Sequence, residues 1–440
     1  MSLNLSKARS GEKLYMEVCR YYQELILSRK LPPGSKMPSL RKCAEELKLS
    51  RTTVENAYLQ LAADGYIISR PQSGYYVTDI ADLRTEPGHA HVDEVAYRYN
   101  FASSGVDPDS FRLDLWSRYM KSALRQSDRL AFYGEPRGEY DLRSVLSEYI
   151  RKQRNVMCDP DDIVIGAGMQ SLLHILIPLL KDRHTVSFPT PSFVQGSTVF
   201  ADYGFDVHYR DKDCDVVYVS PAHMTKWGSI MPTSRRLELI RYASEHGSLV
   251  IEDDFENEFV YLQRPTPSIF GLAGGKNVVY LGSFSRLLLP SIRLSFMVLP
   301  PPLAAQYRER AHYYNQTASK AEQIALCQFI RDGHLASQTR KLKRLYHQKL
   351  TRLQDAISEV FGRDLPVEFG LTGTSLSVTL PWSGGGDAFI KEAQTRGLRI
   401  QVLSSDETTV KLILSCSAMP AADFLPACSL LKSLIASPEP

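Results

Sequence analysis

Five segments of this chain set small, hydroxyl-bearing or ionic residues directly after apolar runs: GAGMQ from Gly166, PTPSF from Pro189, SPAHMTKWG from Ser220, EDDFENEF from Glu252 and GSFSR from Gly282. The apolar runs read as buried strands, and in sheets whose strands alternate with helices, ligands bind beyond the carboxyl ends of the strands. The residue types then set the chemistry. Gly168, Met169 and Gln170 open a helical pattern and offer backbone N–H groups to an anion. Arg286 and Arg293 supply two permanently charged forks, an anion clamp. A guanidinium, with a pKa above about 12, has no free lone pair, so Arg286 is no nucleophile. Asp253 is an acid at a strand end near both arginines, the setting of a structural ion pair.

A second group of ionic and hydroxyl residues lies near the N-terminus. Residues 1–78 hold 12 Lys or Arg against 7 Asp or Glu, a surplus of +5 that leaves −2 for the remainder of a chain whose total is +3. Arg51 can make a bidentate contact to guanine, and Thr52 and Thr53 can donate to phosphate or touch a thymine methyl. Lys36, Ser39 and Arg41 sit where phosphate contacts would fix register. The alternative is a solvated helix start on a protein-interaction module; a basic residue there opposes the helix dipole and does nothing for local stability.

The elements that position these residues are legible. Leu14, Val18, Tyr21, Tyr22, Leu25 and Ile26 form the apolar stripe of a helix over 12–28, which LPPGSKMPS must stop. Ser39 caps a short helix through Leu47, and Ser50 caps another carrying Val54, Ala57, Tyr58 and Leu61. Residues 67–69 and 75–77 read as two strands around RPQSG, with Gly74 at the tip. Three helices and a β-ribbon make a winged helix-turn-helix, which inserts its third helix into the DNA major groove. Beyond residue 100, DIVIGAG, HTVSF, DVVYVSP, SLVIEDD, NVVYLGSF and RLSFMVLP alternate with amphipathic segments, the pattern of a mostly parallel α/β sheet. From about 310 the chain turns to helices and shorter strands, a smaller α+β lobe.

Composition excludes several classes. With 440 residues, 43% of them hydrophobic and 23% charged, the chain can bury large cores and belongs to more than one folding unit. The longest apolar stretch, Leu172 to Leu180, is broken by His174 and is about half of the ~18 residues a membrane helix needs. No apolar segment follows the charges of MSLNLSKARSGEKL, so the expected location is the cytoplasm. The seven cysteines (19, 43, 158, 214, 327, 416 and 428) contain no CxxC pair and read as idle thiols. His89 and His91 lie in a tether-like stretch without companion ligands, and no metal site is expected.

PSLRKCAEELKLSRTTVENAYLQLAADGYI with the wing RPQSGYYV resembles the GntR family of bacterial DNA-binding domains. The resemblance implies that Arg41, Arg51, Thr52, Thr53 and the wing tip around Gly74 face a double-stranded operator; Lys36, Ser39 and Ser50 complete the expected DNA-binding set. The strand landmarks, with YGEPRGEYDLRSVLSEYIRKQRNV, resemble fold type I pyridoxal-phosphate (PLP) enzymes of the aminotransferase class. Together the chain resembles a MocR-type regulator. The expected organisation is a winged domain over 1–78, a linker over 79–99 and an aminotransferase-like domain over 100–440, with a large lobe over about 100–309 and a small lobe over about 310–435.

The resemblance also shows where chemistry departs. In the family a lysine in a GTFSK motif forms an imine with the coenzyme aldehyde; the corresponding segment here is Gly282, Ser283, Phe284, Ser285 and Arg286. The family's EDDY supplies an Asp to the pyridine nitrogen and a Tyr hydroxyl to the phenolic oxygen; here Asp253 stands, to hold a pyridinium or pair with Arg286 or Arg293, and Phe255 has no hydroxyl. A substrate-carboxylate Arg is replaced by Ile413, and PSHQFPTG reads PAHMTKWG, keeping His223 but introducing Met224, Lys226 and Trp227. Gly168, Met169, Gln170, Ser283, Ser285 and Arg293 match the phosphate side, and Phe193 matches an aromatic that stacks on the ring or is plain core. Lys226 offers an alternative amine. These features predict a ligand-responsive transcriptional regulator, homodimeric, with a pseudoenzyme domain that takes an anionic metabolite or noncovalent PLP. The alternatives are a working PLP enzyme with a DNA-binding head, and an effector-free dimerisation module.

Overall fold

The computed structural model describes residues 14–78, 97–102, 105–222, 224, 230–255, 257–259, 266–370 and 373–436. The chain divides into two compact units, Met1–Glu94 and Val95–Pro440.

In the first unit the predicted stripe becomes α1 (Leu14–Leu27), which buries Val18, Cys19, Tyr22 and Ile26. Ser39 accepts from the Lys42 N–H and starts α2 (Leu40–Leu47); Ser50 accepts from the Thr53 N–H and starts α3 (Arg51–Ala63). Each cap satisfies a backbone donor that the first helical turn leaves unpaired. β1 (Ile67–Arg70) and β2 (Gly74–Val77) pair antiparallel, Ile67 opposite Val77 and Arg70 opposite Gly74. Gly74 therefore opens the second strand, and residues 71–73 make the tip. The buried side of α3, with Val54, Ala57, Tyr58 and Leu61, packs into one cluster with α1 and the wing. Tyr58 meets Tyr22 and Tyr75 edge to face, an arrangement favoured by the ring quadrupoles.

The second unit opens with β3 (Tyr99–Asn100), α4 (Leu113–Leu124) and α5 (Tyr140–Arg154). There follow β4 (Ile163–Gly166), α6 (Met169–Leu176), β5 (Thr185–Phe188), α7 (Val194–Asp202), β6 (Asp206–Tyr209), β7 (Val216–Val219), α8 (Thr233–His246), β8 (Leu249–Asp253), β9 (Val278–Ser283) and β10 (Ser295–Val298). These seven strands form one sheet in the order β4-β10-β9-β8-β7-β5-β6. β10 runs antiparallel to β4 and β9, and the other pairings are parallel. β6 is an edge strand whose exposed DVHY pattern hid it from a search for apolar runs. Apolar clusters cover both faces of the sheet, so its central strands are continuous hydrophobic runs and not alternating ones.

The remainder comprises α9 (Pro301–Arg310), α10 (Lys320–Arg331), α11 (His334–Phe361), β11 (Val367–Phe369), β12 (Ser375–Pro381), α12 (Gly385–Thr395), β13 (Leu398–Arg399), β14 (Gln401–Ser405), β15 (Thr409–Ser415) and α13 (Phe424–Ala436). A four-stranded antiparallel sheet, β11-β12-β15-β14, carries this lobe.

Two expected boundaries need correction. A linker through residue 99 fails at its end, because Tyr99 pairs in parallel with Leu398 and is buried with Phe101 in the small-lobe core; residues 79–96 lie outside the described residues. A lobe change at 309/310 comes too early. Ile324 to Phe329, Leu335, Leu342 and Tyr346 belong to the large core, whereas Leu350, Leu353 and Ile357 belong to the small one. The 28 residues of α11, about 42 Å of helix, run through both cores, so the change falls midway along one element. Among the described residues no helix is long and apolar enough to cross a membrane.

Candidate functional site

In the first unit the residues expected at DNA lie just before α2, at the starts of α2 and α3 and on the wing, all exposed except half-buried Thr53. Arg51 and Thr52 are exposed at the start of α3, and Ser50 Oγ, 3.1 Å from the Thr53 N–H and 2.7 Å from Thr53 Oγ1, fixes that turn. Arg41 Nε donates to Glu45 Oε1 at 3.1 Å across one turn of α2. Lys36 forms a bridge with Tyr76 of β2 and lies 5.9 Å from its ring, while the Arg70 guanidinium lies 4.5 Å from the same ring. The hydrogen bond with Ser73, helped by Lys36 and Arg70, holds the Tyr76 phenol below its ordinary pKa. Arg70 and Tyr76 thus extend the cationic surface of the wing. Sequence reading stopped at Gly74 and passed over them, although an Arg before the tip and a Tyr after it were visible in SRPQSGYY.

In the second unit a cavity of about 740 Å³ opens at the carboxyl ends of the strands. Gly168, Met169, Gln170, Phe193, Asp253, Phe255, Ser283, Ser285, Arg286 and Arg293 all line it. They arrive from the starts of α6 and α7 and from the ends of β8 and β9, far apart in the chain. His223 lies outside the described residues, as do Lys226, Trp227 and Gly228, and Met224 packs against the large core instead. Ile413 is buried in β15. Its neighbour across the ladder, Gln401, is the small-lobe side chain at the cavity. Only the register of β14 with β15 brings Gln401 there, and no motif announces it.

One end of the cavity gathers a helix start, hydroxyls and a guanidinium. Gly168 caps the eight-residue α6 at φ +95°, and a Cβ there would lie 2.3 Å from the Arg293 guanidinium. Glycine is therefore required twice, by its backbone angle and by the closeness of Arg293. Arg293 itself takes φ +52° just after a 3-10 turn over Pro290–Ile292. Ser295 and Ser283 hydroxyls are 3.2 Å apart and Ser283 and Ser285 hydroxyls 3.1 Å, while the Ser285 N–H donates to Ser283 Oγ at 3.3 Å. Hydroxyls, the helix start and a guanidinium converge, as in sites that bind phosphate.

The other end is aromatic and acidic. Phe193 stacks on Tyr218 with centroids 5.1 Å apart and planes 27° apart, and the Tyr218 hydroxyl donates to Asp253 Oδ2 at 2.7 Å. Burial, then the charge of Asp253, drives the Tyr218 phenol well above its ordinary pKa. Asp253 is 6% exposed, and its backbone carbonyl accepts from Ser220 Oγ. Alternation along β8 sends the flanking acids to the opposite face. Glu252 accepts from the Ile269 and Phe270 N–H groups, and Asp254 takes both forks of Arg154, at 2.7 and 2.9 Å, and the Tyr280 hydroxyl. One acid of EDD faces the cavity; the other two hold the scaffold.

Arg286 is 8% exposed at the cavity wall, and its Nη1 donates to the Gly105 carbonyl at 2.8 Å. This contact joins the end of β9 to the segment before α4, 181 residues away.

The two units define a class: a winged-helix DNA-binding fold joined to an aminotransferase fold whose cavity is lined by guanidinium and hydroxyl groups. The family description "Bacterial regulatory proteins, gntR family" matches residues 14–77, and "Aminotransferase class I and II" matches residues 107–372. The chain is similar to the HTH-type transcriptional regulator YdeL of Bacillus subtilis, 33% identical over 414 residues, 89% of each chain. It is also similar to "Probable rhizopine catabolism regulatory protein MocR" of Rhizobium meliloti, 28% identical over 74% of this chain and 73% of that one. An archaeal alanine:glyoxylate aminotransferase shares the fold, with a TM-score of 0.66 and 17% identity over 81% of this chain and 95% of that one. The chain belongs to the MocR-type branch of the GntR family of transcriptional regulators.

Proposed function

We propose that this protein is a ligand-responsive transcriptional regulator whose aminotransferase-like unit binds an anionic small molecule, or PLP without a covalent bond, and performs no transamination. The observation that carries the proposal is Arg286, which by resemblance stands at the place of the family's imine-forming lysine. When bound covalently to a lysine, PLP supplies an electron sink for amino-group chemistry. The residues fit its binding better than its chemistry. Gly168, Gln170, Ser283, Ser285 and Arg293 would hold a phosphate, Asp253 a pyridinium and Phe193 the ring face. Arg286 has no nucleophilic lone pair, Phe255 has no hydroxyl, and no lysine is among the described residues that line the cavity. In this role Arg286 binds and orients the anion while its Nη1 stays bonded to the Gly105 carbonyl.

The first unit would bind a double-stranded operator through the start of α3 and the wing. Exposed aromatics support the homodimer that the family implies: Phe132, Tyr133 and Tyr313 are 74%, 99% and 77% exposed, and Gln316 ties their two segments by donating to the Pro136 carbonyl. Two heads would suit a repeated or palindromic operator. The ligand would act by differential affinity for two arrangements of the assembly. In the cytoplasm, PLP, amino acids and organic phosphates are all accessible candidates.

The test uses the purified full chain with PLP, its amine form, amino acids and organic phosphates. A specific binder should raise the melting temperature with concentration, and borohydride treatment with stoichiometric PLP, followed by peptide mapping, should leave no adduct on a cavity side chain of the wild-type protein. Arg286→Lys supplies the missing amine and serves as the positive control for adduct detection. An adduct mapped to a cavity side chain of the wild-type chain would refute the loss of covalent chemistry, and no thermal response to any of these ligands would favour the effector-free dimerisation module.

A further inference from the structure

Edge strand β6 leads into a loop where three donor groups of different type meet. His208 lies on the strand, Asp211 and Cys214 follow at intervals of three, and their ligand atoms all lie within 4.8 Å of one another. His208 Nδ1 is 3.6 Å from Asp211 Oδ2. We infer that His208, Asp211 and Cys214 form a binding site for a borderline divalent metal ion of the Zn²⁺ class, with a fourth position open to solvent.

The backbone explains why the three converge. Arg210 adopts φ +56° and turns the chain at the end of β6, and its N–H and Nε donate to the Phe188 and Pro189 carbonyls at 3.0 and 3.2 Å. The Asp211 N–H donates to Ser187 Oγ at 2.9 Å, and the Asp215 N–H to Thr185 Oγ1 at 2.8 Å. The loop is therefore anchored at both ends along β5, and Cys214, 2% exposed, is fixed between the anchors. Neighbouring carboxylates have other work: Asp213 accepts from the Tyr242 hydroxyl, and Asp215 from the His184 and Thr185 N–H groups. They add negative potential without competing as ligands.

The donor set selects the ion. Imidazole, carboxylate and thiolate together match Zn²⁺ and its substitute Co²⁺; the hard ions Mg²⁺ and Ca²⁺ would take oxygens only, and Cu⁺ softer ligands. With bonds of about 2.0–2.3 Å, a tetrahedral ion needs donors roughly 3.5 Å apart. The His208–Asp211 separation already meets that, and rotation of these two part-exposed side chains closes the rest onto the fixed sulfur. Binding displaces the thiol proton to solvent. The ion would cross-link β6 to the loop that follows it, a loop hydrogen-bonded to Ser187, Phe188 and Pro189, the stretch that continues into Thr190–Phe193 of the cavity wall. A search for CxxC or paired histidines misses this site because its ligands are three different residue types.

The experiment strips the full chain with chelator and titrates it with Co²⁺. One equivalent should bind with thiolate-to-cobalt charge-transfer absorption and visible bands of tetrahedral intensity, and Zn²⁺ should displace it. Zn²⁺ should also raise the melting temperature. His208→Ala and Cys214→Ser should each abolish the absorption and weaken binding at least tenfold, whereas Cys158→Ser, a thiol on another loop, should keep both. His208 is part-exposed, so its variant keeps the test decisive if Cys214→Ser does not fold; unchanged far-ultraviolet circular dichroism establishes that it has. Absence of the band in the wild-type chain, its survival in folded His208→Ala, or its loss in Cys158→Ser would overturn the site.

Discussion

The proposed DNA-reading surface and the proposed ligand cavity are assembled in opposite ways. Lys36, Ser39, Arg41, Ser50, Arg51, Thr52 and Thr53 fall within 18 consecutive residues, all but Lys36 on helix starts fixed by their own caps and Lys36 bridged to Tyr76 of the wing. The cavity draws on residues from Gly168 to Gln401, delivered by strand ends that are neighbours only because the sheet reorders them. A surface made of local signals tolerates single losses with graded effects. A cavity made of distant strand ends depends on the buried polar groups that hold those ends together.

The largest effect should therefore come from a residue that touches no ligand. Arg154 reaches across 100 residues to grip Asp254 with both forks and donates to the Thr266 carbonyl. Removing one partner of a buried pair leaves an uncompensated charge and costs about 3–5 kcal/mol. Arg154→Ala should lower the unfolding free energy of the transition belonging to the second unit by that amount, read from denaturant unfolding. A loss below about 1 kcal/mol would mean that the far strand ends are held by packing alone and that the contrast is overstated.

Next comes Glu252, on the same side of β8. Burial, then the charge of Asp254, raises its carboxyl to about 7 in the folded chain. Between its ordinary value near 4.5 and that raised value, the folded chain keeps a proton that the unfolded chain has lost. Stability from this group is thus complete below the ordinary value and declines as pH rises through the window. Urea unfolding at several pH values should show a slope of up to one proton that Glu252→Gln removes; an unchanged slope would assign the titration elsewhere.

On the DNA side, Arg51→Ala should cost about 1 to 3 kcal/mol on the operator and relax sequence preference, whereas Lys36→Ala should weaken operator and random DNA evenly. Equal losses on both DNAs for both variants would remove Arg51 from base readout and leave it on the backbone.

What could be read in advance follows the same division. Caps at Ser39 and Ser50, the stripe from Leu14 to Ile26 and the two wing strands are short-range signals, and they name their residues directly. The six apolar runs located six strands and the rim residues at their ends. They could not order the strands, see the exposed edge strand β6, or place Gln401, because those depend on pairing between segments far apart. Arg286 was visible as a cation, but its bond to the Gly105 carbonyl was not: a backbone acceptor 181 residues away carries no side-chain signature. Tyr99 was assigned to a tether because an aromatic after a polar stretch shows no period, although the small lobe needs it buried beside Phe101.

The smallest effect should fall on the residue that was easiest to read. Ser50 Oγ satisfies the Thr53 N–H, and Ser50→Ala should destabilise the first unit by about 1 kcal/mol. Its value as a DNA contact is separable from its value as a cap. Asn and Asp also cap well, but Asp adds a negative charge where phosphates approach. Ser50→Asp should thus keep the melting behaviour of the wild-type chain and weaken operator and random DNA alike, while Ser50→Asn should preserve both stability and binding. If Asp binds DNA as well as Asn does, the start of α3 does not lie against the phosphate backbone. The cap would then serve only the fold, and the local legibility of this surface would be that of a structural unit and not of a binding site.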